Sequence, residues 1–133
     1  MTDPTLSQRI KDVTGAKIIA ESYLSGGGVA TVMRVDLDNG QSLVIKAGAD
    51  ANLDIEAAML RYLTEHSPIR SPNVLYGDSS CLVMGFIAND GQMSGSVQRD
   101  LARQLAKQHA VTADQYGLSF DTLIGGLHQP NTQ

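Results

Sequence analysis

A chain of 133 residues supports one domain of ordinary size or one lobe of something larger, and its 42% apolar share suits a globular protein. A formal charge of −4, scattered basic residues and only 5% aromatics argue against a nucleic-acid binder, and no run approaches the ~18 apolar residues of a membrane helix. Met1-Thr2-Asp3-Pro4 has neither the basic nor the apolar region of a secretory leader, and one cysteine, Cys81, excludes an internal disulfide, so a reducing, cytoplasmic setting is expected.

In chain order, Leu6 to Val13 is a short amphipathic helix ended by Thr14-Gly15. Ala16 to Ser25 alternates weakly and reads as a strand, Gly26-Gly27-Gly28 as its turn, and Thr31 to Asp36 as the returning strand. Asp38-Asn39-Gly40 is a strong hairpin signal, because Asn-Gly supplies positive φ. It leads into Ser42 to Ala47, a buried strand that carries Lys46. Asp54 to Glu65 is a helix. Ser67-Pro68 and Ser71-Pro72 mark a loop. Val74 to Gly77 and Cys81 to Ile87 are a fourth and a fifth strand, with Cys81 a buried, inert thiol. Asn89-Asp90-Gly91 is a connector, and Ser96 to Val111 a second amphipathic helix with Val97, Leu101, Ala102 and Leu105 on its apolar side. His109 continues that row as a core or boundary residue, and Tyr116 to Gln133 reads as an irregular tail. His66, His109 and His128 lack metal-ligand spacing, and no metal site is expected.

Lys46 and Glu56 carry the chemistry. At about 100° per residue, Ile55, Met59, Leu60, Tyr62 and Leu63 fill one helical arc, and Glu56 falls inside it. A carboxylate facing the core wants a cation, and Lys46 is the nearest candidate in sequence. A strand lysine paired with a helix glutamate resembles the pair that protein-kinase-like folds use to hold ATP phosphates. The alternative is a snorkelling Lys46 and a Glu56 at the helix edge. The three glycines are either a flexible turn or a loop whose backbone N–H groups can approach phosphates.

The order strand, Gly26-Gly27-Gly28, strand, Val44-Ile45-Lys46, Glu56 helix, Pro72-Asn73-Val74-Leu75 and Cys81-Leu82-Val83-Met84-Gly85-Phe86 resembles the N-terminal lobe of the protein-kinase-like fold. Leu101 to His109 is similar to the helix after the hinge in small-molecule kinases of the aminoglycoside-phosphotransferase type. Tyr116 to Gly126, followed by Gln129-Pro130-Asn131, is similar to the next segment in the fructosamine (ketosamine) kinase family. The resemblance implies an α+β fold: residues 1–88 as a kinase-like N-lobe, a five-stranded antiparallel sheet with one inserted helix, and residues 89–133 as connector, helix and the start of a second lobe. It implies a core between that sheet and the Glu56 helix.

It also implies ATP with Mg2+ as cofactor and phosphorylation of a sugar hydroxyl on a small-molecule or protein-bound ketosamine. Lys46 would contact the α/β-phosphates, Glu56 would orient Lys46, and Gly26, Gly27 and Gly28 would cover the phosphates. Met84, Gly85, Phe86 and Ile87 would form the hinge whose backbone meets adenine. Val29-Ala30 stand where the family's loop usually runs into polar residues. The family's catalytic aspartate in a His-Gly-Asp-type loop, its downstream asparagine and its metal-binding aspartate have no counterpart in these 133 residues. The expectation is a nucleotide-binding portion that is not a competent kinase alone, with no catalytic residue in this chain. Rival readings are a portion of a kinase for another small hydroxyl substrate, aminoglycoside- or choline-like, and a non-catalytic module that self-associates. An uncovered Val97, Leu101 and Leu105 side would favour a homodimer.

Overall fold

The structure is a computed structural model that describes residues 4–24 and 30–132. Helix α1 (Pro4–Thr14) stops at Gly15, whose φ of 74° turns the chain and lets its N–H reach the Lys11 carbonyl at 2.8 Å. Strands β1 (Ile18–Tyr23), β2 (Thr31–Leu37) and β3 (Ser42–Ala47) form an antiparallel meander. Gly40, at φ 84°, makes the β2–β3 turn as the Asn-Gly pair predicts. Helix α2 (Leu53–His66) follows, then β4 (Val74–Gly77) and β5 (Cys81–Gly85). The sheet order is β1-β2-β3-β5-β4, so α2 is the crossover that carries the chain past β5 to the edge.

Alternation along the strands divides the side chains between two faces. Met33, Val35, Leu37, Leu43, Ile45, Cys81 and Val83 share one face and pack with Ile10 of α1. Leu82 lies on the other face with Leu53 and Ala57 of α2, flanked by Leu60, Val74 and Met84. A small core thus lies between the sheet and the Glu56 helix, as the resemblance implied, and a larger one, which it did not suggest, lies under α1 on the other face. The physical reason is in the strands: after Thr31 the odd-numbered positions of β2 and β3 are all apolar, whereas the α2 face carries Arg34, Asp36 and Lys46 among its members.

Helix α3 (Gly95–His109) begins at Ser94, whose hydroxyl accepts from the Val97 N–H at 3.3 Å. None of its residues is buried; Val97, Leu101 and Leu105 stay 45%, 40% and 39% exposed. His109 is also exposed rather than a core or boundary residue. Beyond α3 the stretch read as irregular contains a hairpin, β6 (Thr122–Ile124) and β7 (Leu127–Gln129), and β6 lies against α2.

Candidate functional site

Lys46 and Glu56 meet on the α2 face of the sheet. Lys46 is paired across β2 with Val32 and across β5 with Leu82, which places it in the middle of the sheet. The connection from β3 to α2 is short and pinned to the β4–β5 turn: Gly48 N–H donates to Ser80 O at 2.9 Å and Leu53 N–H to Ser79 O at 3.2 Å. Asp50 and Asn52 turn through left-handed conformations at φ 56° and 50°, which Asp and Asn tolerate better than most residues. Glu56 thus enters in the first turn of α2, opposite Lys46.

Lys46 Nζ donates to Glu56 Oε1 at 2.8 Å and Oε2 at 2.6 Å. The side chains are 23% and 35% exposed, so the pair is wet at one edge. An ammonium carries three donors. Two are committed to the carboxylate, and the third is not. This bidentate contact settles the choice between pairing and snorkelling in favour of pairing.

The remaining predicted residues are distributed unevenly. Gly26, Gly27 and Gly28 lie outside the described residues. Met84 and Gly85 end β5, with Phe86 and Ile87 directly after it. Gly85 N–H is spent on Asn73 O at 2.9 Å, and Phe86 N–H on Ser42 O at 3.1 Å. Both hydrogen bonds fasten this segment to its own lobe. Among the described residues no three His, Cys, Asp or Glu side chains are gathered to hold a metal.

Two groups escaped the sequence reading. Arg34 lies on the Lys46 face, where it donates from Nε and an Nη to Asp36 Oδ1 at 3.0 and 2.9 Å, donates to the Ser42 hydroxyl and stacks over Phe86 at 4.3 Å. Ser42 also donates to Asp36 at 2.6 Å, and its hydroxyl with Arg34 holds the Asp36 carboxyl below the usual range. The period-two row Val32, Arg34, Asp36 was the available signal. The other is Gly77, where a Cβ would come within 2.5 Å of the Ala57 Cβ. Here α2 rests almost directly on backbone, and only contact geometry reveals it.

On the α1 face, Arg9 pairs with Asp78 at 3.2 Å and stacks over Tyr76 at 4.6 Å. Tyr76 donates to Asp78 at 2.7 Å. Burial pushes the Cys81 thiol up, consistent with an inert residue.

A family model for fructosamine kinase matches residues 2–133. Among solved structures, the chain is similar to a protein assigned as a fructosamine-3-kinase from Thermobifida fusca YX-ER1, with 25% identity and a TM-score of 0.79 over 98% of this chain and 47% of that one. A second such assignment, from Haemophilus somnus 129PT, is 27% identical with a TM-score of 0.77, covering 95% of this chain and 45% of that one. A macrolide 2'-phosphotransferase type I shares the fold at 17% identity and a TM-score of 0.60, covering 84% of this chain and 45% of that one. No curated protein sequence matches. The chain spans about half the length of the solved structures it resembles. The α+β architecture, the Lys46–Glu56 pair on a five-stranded antiparallel sheet and the match along residues 2–133 converge: this chain belongs to the fructosamine kinase family.

Proposed function

We propose that this chain supplies the nucleotide-holding part of a fructosamine- or ketosamine-directed phosphotransferase, with ATP as the phosphoryl donor. The observation that carries the reading is the bidentate Lys46–Glu56 pair within a family of kinases. The third Lys46 proton faces phosphate oxygens, and Glu56 keeps the ammonium from collapsing onto another acceptor. Val44 and Met84, paired across β3 and β5 on the same face, offer the base an apolar surface. The N–H groups of Gly85 and Phe86 being spent, Ile87 is the hinge residue that meets the base edge. Mg2+ bound to the phosphates would neutralise charge that develops during transfer. These residues bind and orient the donor; transfer also needs an oriented acceptor hydroxyl and metal-holding carboxylates, and the sequence has no His-Gly-Asp motif. On this reading the chain alone does not turn over substrate.

Titration calorimetry on the 133-residue chain with ATP and with adenosine tests the reading. Lys46→Met and Glu56→Gln are expected to weaken ATP several-fold and leave adenosine unchanged. ATP binding that is absent, or equal in wild type and both variants, overturns it.

The exposed α3 row favours a second, compatible reading. Each fully buried aliphatic side chain contributes roughly 1.5–3 kcal/mol. Two copies packing Val97, Leu101 and Leu105 about a two-fold axis would recover part of that, giving a homodimer.

A further inference from the structure

Helix α2 is gripped on two sides, and Glu56 projects between them. At about 100° per residue, Leu53, Ala57 and Leu60 fall to one side of Glu56, and Ile55, Tyr62 and His66 to the other. The first side packs on the sheet through Leu82 and Val74. The second side meets the returning chain: the Phe120 ring stands edge-on to Tyr62, with centroids 6.1 Å apart and planes at 71°, and Tyr62 stacks on His66 at 4.3 Å. Strand β6 lies along the same helix.

The returning segment is closed on itself. Asp121 Oδ1 accepts from the Asn131 N–H at 2.8 Å, the Thr132 N–H at 3.0 Å and the Thr132 hydroxyl. Leu118 N–H donates to Asn131 O at 2.9 Å, and the Asn131 side chain donates to the Thr122 hydroxyl. One carboxylate therefore ties the start of the hairpin to the strand of chain beyond it. These bonds close residues 118–132 into one hydrogen-bonded unit.

We propose that residues 118–132 are a brace for α2, with Phe120 and Asp121 as positioning residues that keep Glu56 engaged with Lys46. The sheet contact alone fixes how close α2 approaches. It leaves the helix free to rock about the Ala57 contact, the motion that would carry Glu56 away from Lys46. A contact on the opposite flank removes that freedom. The brace matters for ATP only if the proposed function holds, but its effect on the ion pair exists without nucleotide, so the two ideas fail separately.

The test is competitive acylation of the 133-residue chain, without nucleotide, read by mass spectrometry as the rate at Lys46 relative to exposed Lys17 and Lys107. Phe120→Ala and Asp121→Ala are expected to raise the Lys46 rate roughly two- to fivefold, the scale of opening a partly exposed ion pair. Phe120→Tyr, which keeps the ring, is expected to stay at the wild-type rate. Phe120→Ala should add nothing in a Glu56→Gln background, because the pair is already broken there. Amide exchange at Ile45 and Val83 verifies that the sheet is intact in each variant; if Phe120→Ala disturbs it, Asp121→Ala, whose contacts lie outside the sheet, decides. An unchanged Lys46 rate in a variant whose Leu118 and Asn131 amides have lost protection overturns the proposal. So does a Phe120→Ala effect that persists in full when Glu56 is already Gln.

Discussion

Gly77→Ala is the sharpest perturbation of the site that touches neither of its charged residues. Gly77 pairs with Leu82, which pairs with Lys46, so all three lie in one row across the sheet. Ala57 is the neighbour of Glu56. A Cβ on Gly77 would stand 2.5 Å from the Ala57 Cβ, where carbons pack at about 3.5–4.0 Å. Either β4 or α2 must give by about 1 Å or more. Moving α2 stretches the 2.6 and 2.8 Å contacts between Lys46 and Glu56 toward the limit of an ion pair. Overpacking of this kind costs about 1–3 kcal/mol, a sizeable fraction of the ~5–15 kcal/mol that a domain has in reserve. Ala57→Gly costs about 1 kcal/mol in helix propensity and about another in lost methyl burial, yet it opens the space that Gly77→Ala needs. Urea denaturation followed by circular dichroism, at fixed protein concentration, gives the double-mutant cycle. The double variant is expected to be about 1–3 kcal/mol more stable than the sum of the singles predicts. Additivity within about 0.5 kcal/mol, or a Gly77→Ala cost below that, would refute the claim that this contact sets the height of α2.

Asp78 is held down from 3.8 to about 2, first by the Tyr76 hydroxyl and then, against partial burial, by Ser80 and the Cys81 N–H. A carboxyl depressed on folding stabilises above its ordinary pKa and loses that contribution as pH falls from about 4 toward 2. Asp78→Asn should therefore cost about 1 kcal/mol at pH 7, after discounting for solvent screening, and almost nothing near pH 2; an equal gap at both pH values in urea titrations would contradict this. Size-exclusion chromatography with light scattering is expected to report a dimer that Leu101→Asp splits while the sheet stays folded; a monomeric wild type over a broad concentration range counts against it. An assay of the chain with ATP, magnesium and a fructosamine or ribulosamine is expected to show no turnover, and activity that survives repurification would show that the chain holds more of the transfer machinery than Lys46 and Glu56.

Much of this was legible in the residues. Period-two alternation in β2 and β3, the Asn-Gly turn and the Pro-marked loop before β4 are local signals, and local backbone preferences decide them. Strand β3 ran over Ser42–Ala47 and β4 over Val74–Gly77, as read. Glu56 inside an apolar arc announced a partner, because a carboxylate turned inward needs one. Other features depended on atoms far apart in sequence. The odd-numbered row of β2 and β3 marked the more apolar face, but which helix covers it turned on α1 docking through Ile10, and nothing in Leu6 to Val13 names its target. The apolar arc of α2 was wider than one sheet contact uses, but that its far flank faces Phe120, 58 residues beyond Tyr62, is a property of chain return. In sequence Gly77 reads only as the last residue of the fourth strand; the 2.5 Å approach of Ala57 is what shows that it makes room for the helix that carries Glu56. Short-range patterns set the elements and the sign of their charges, whereas close packing between remote segments set where Lys46 and Glu56 meet.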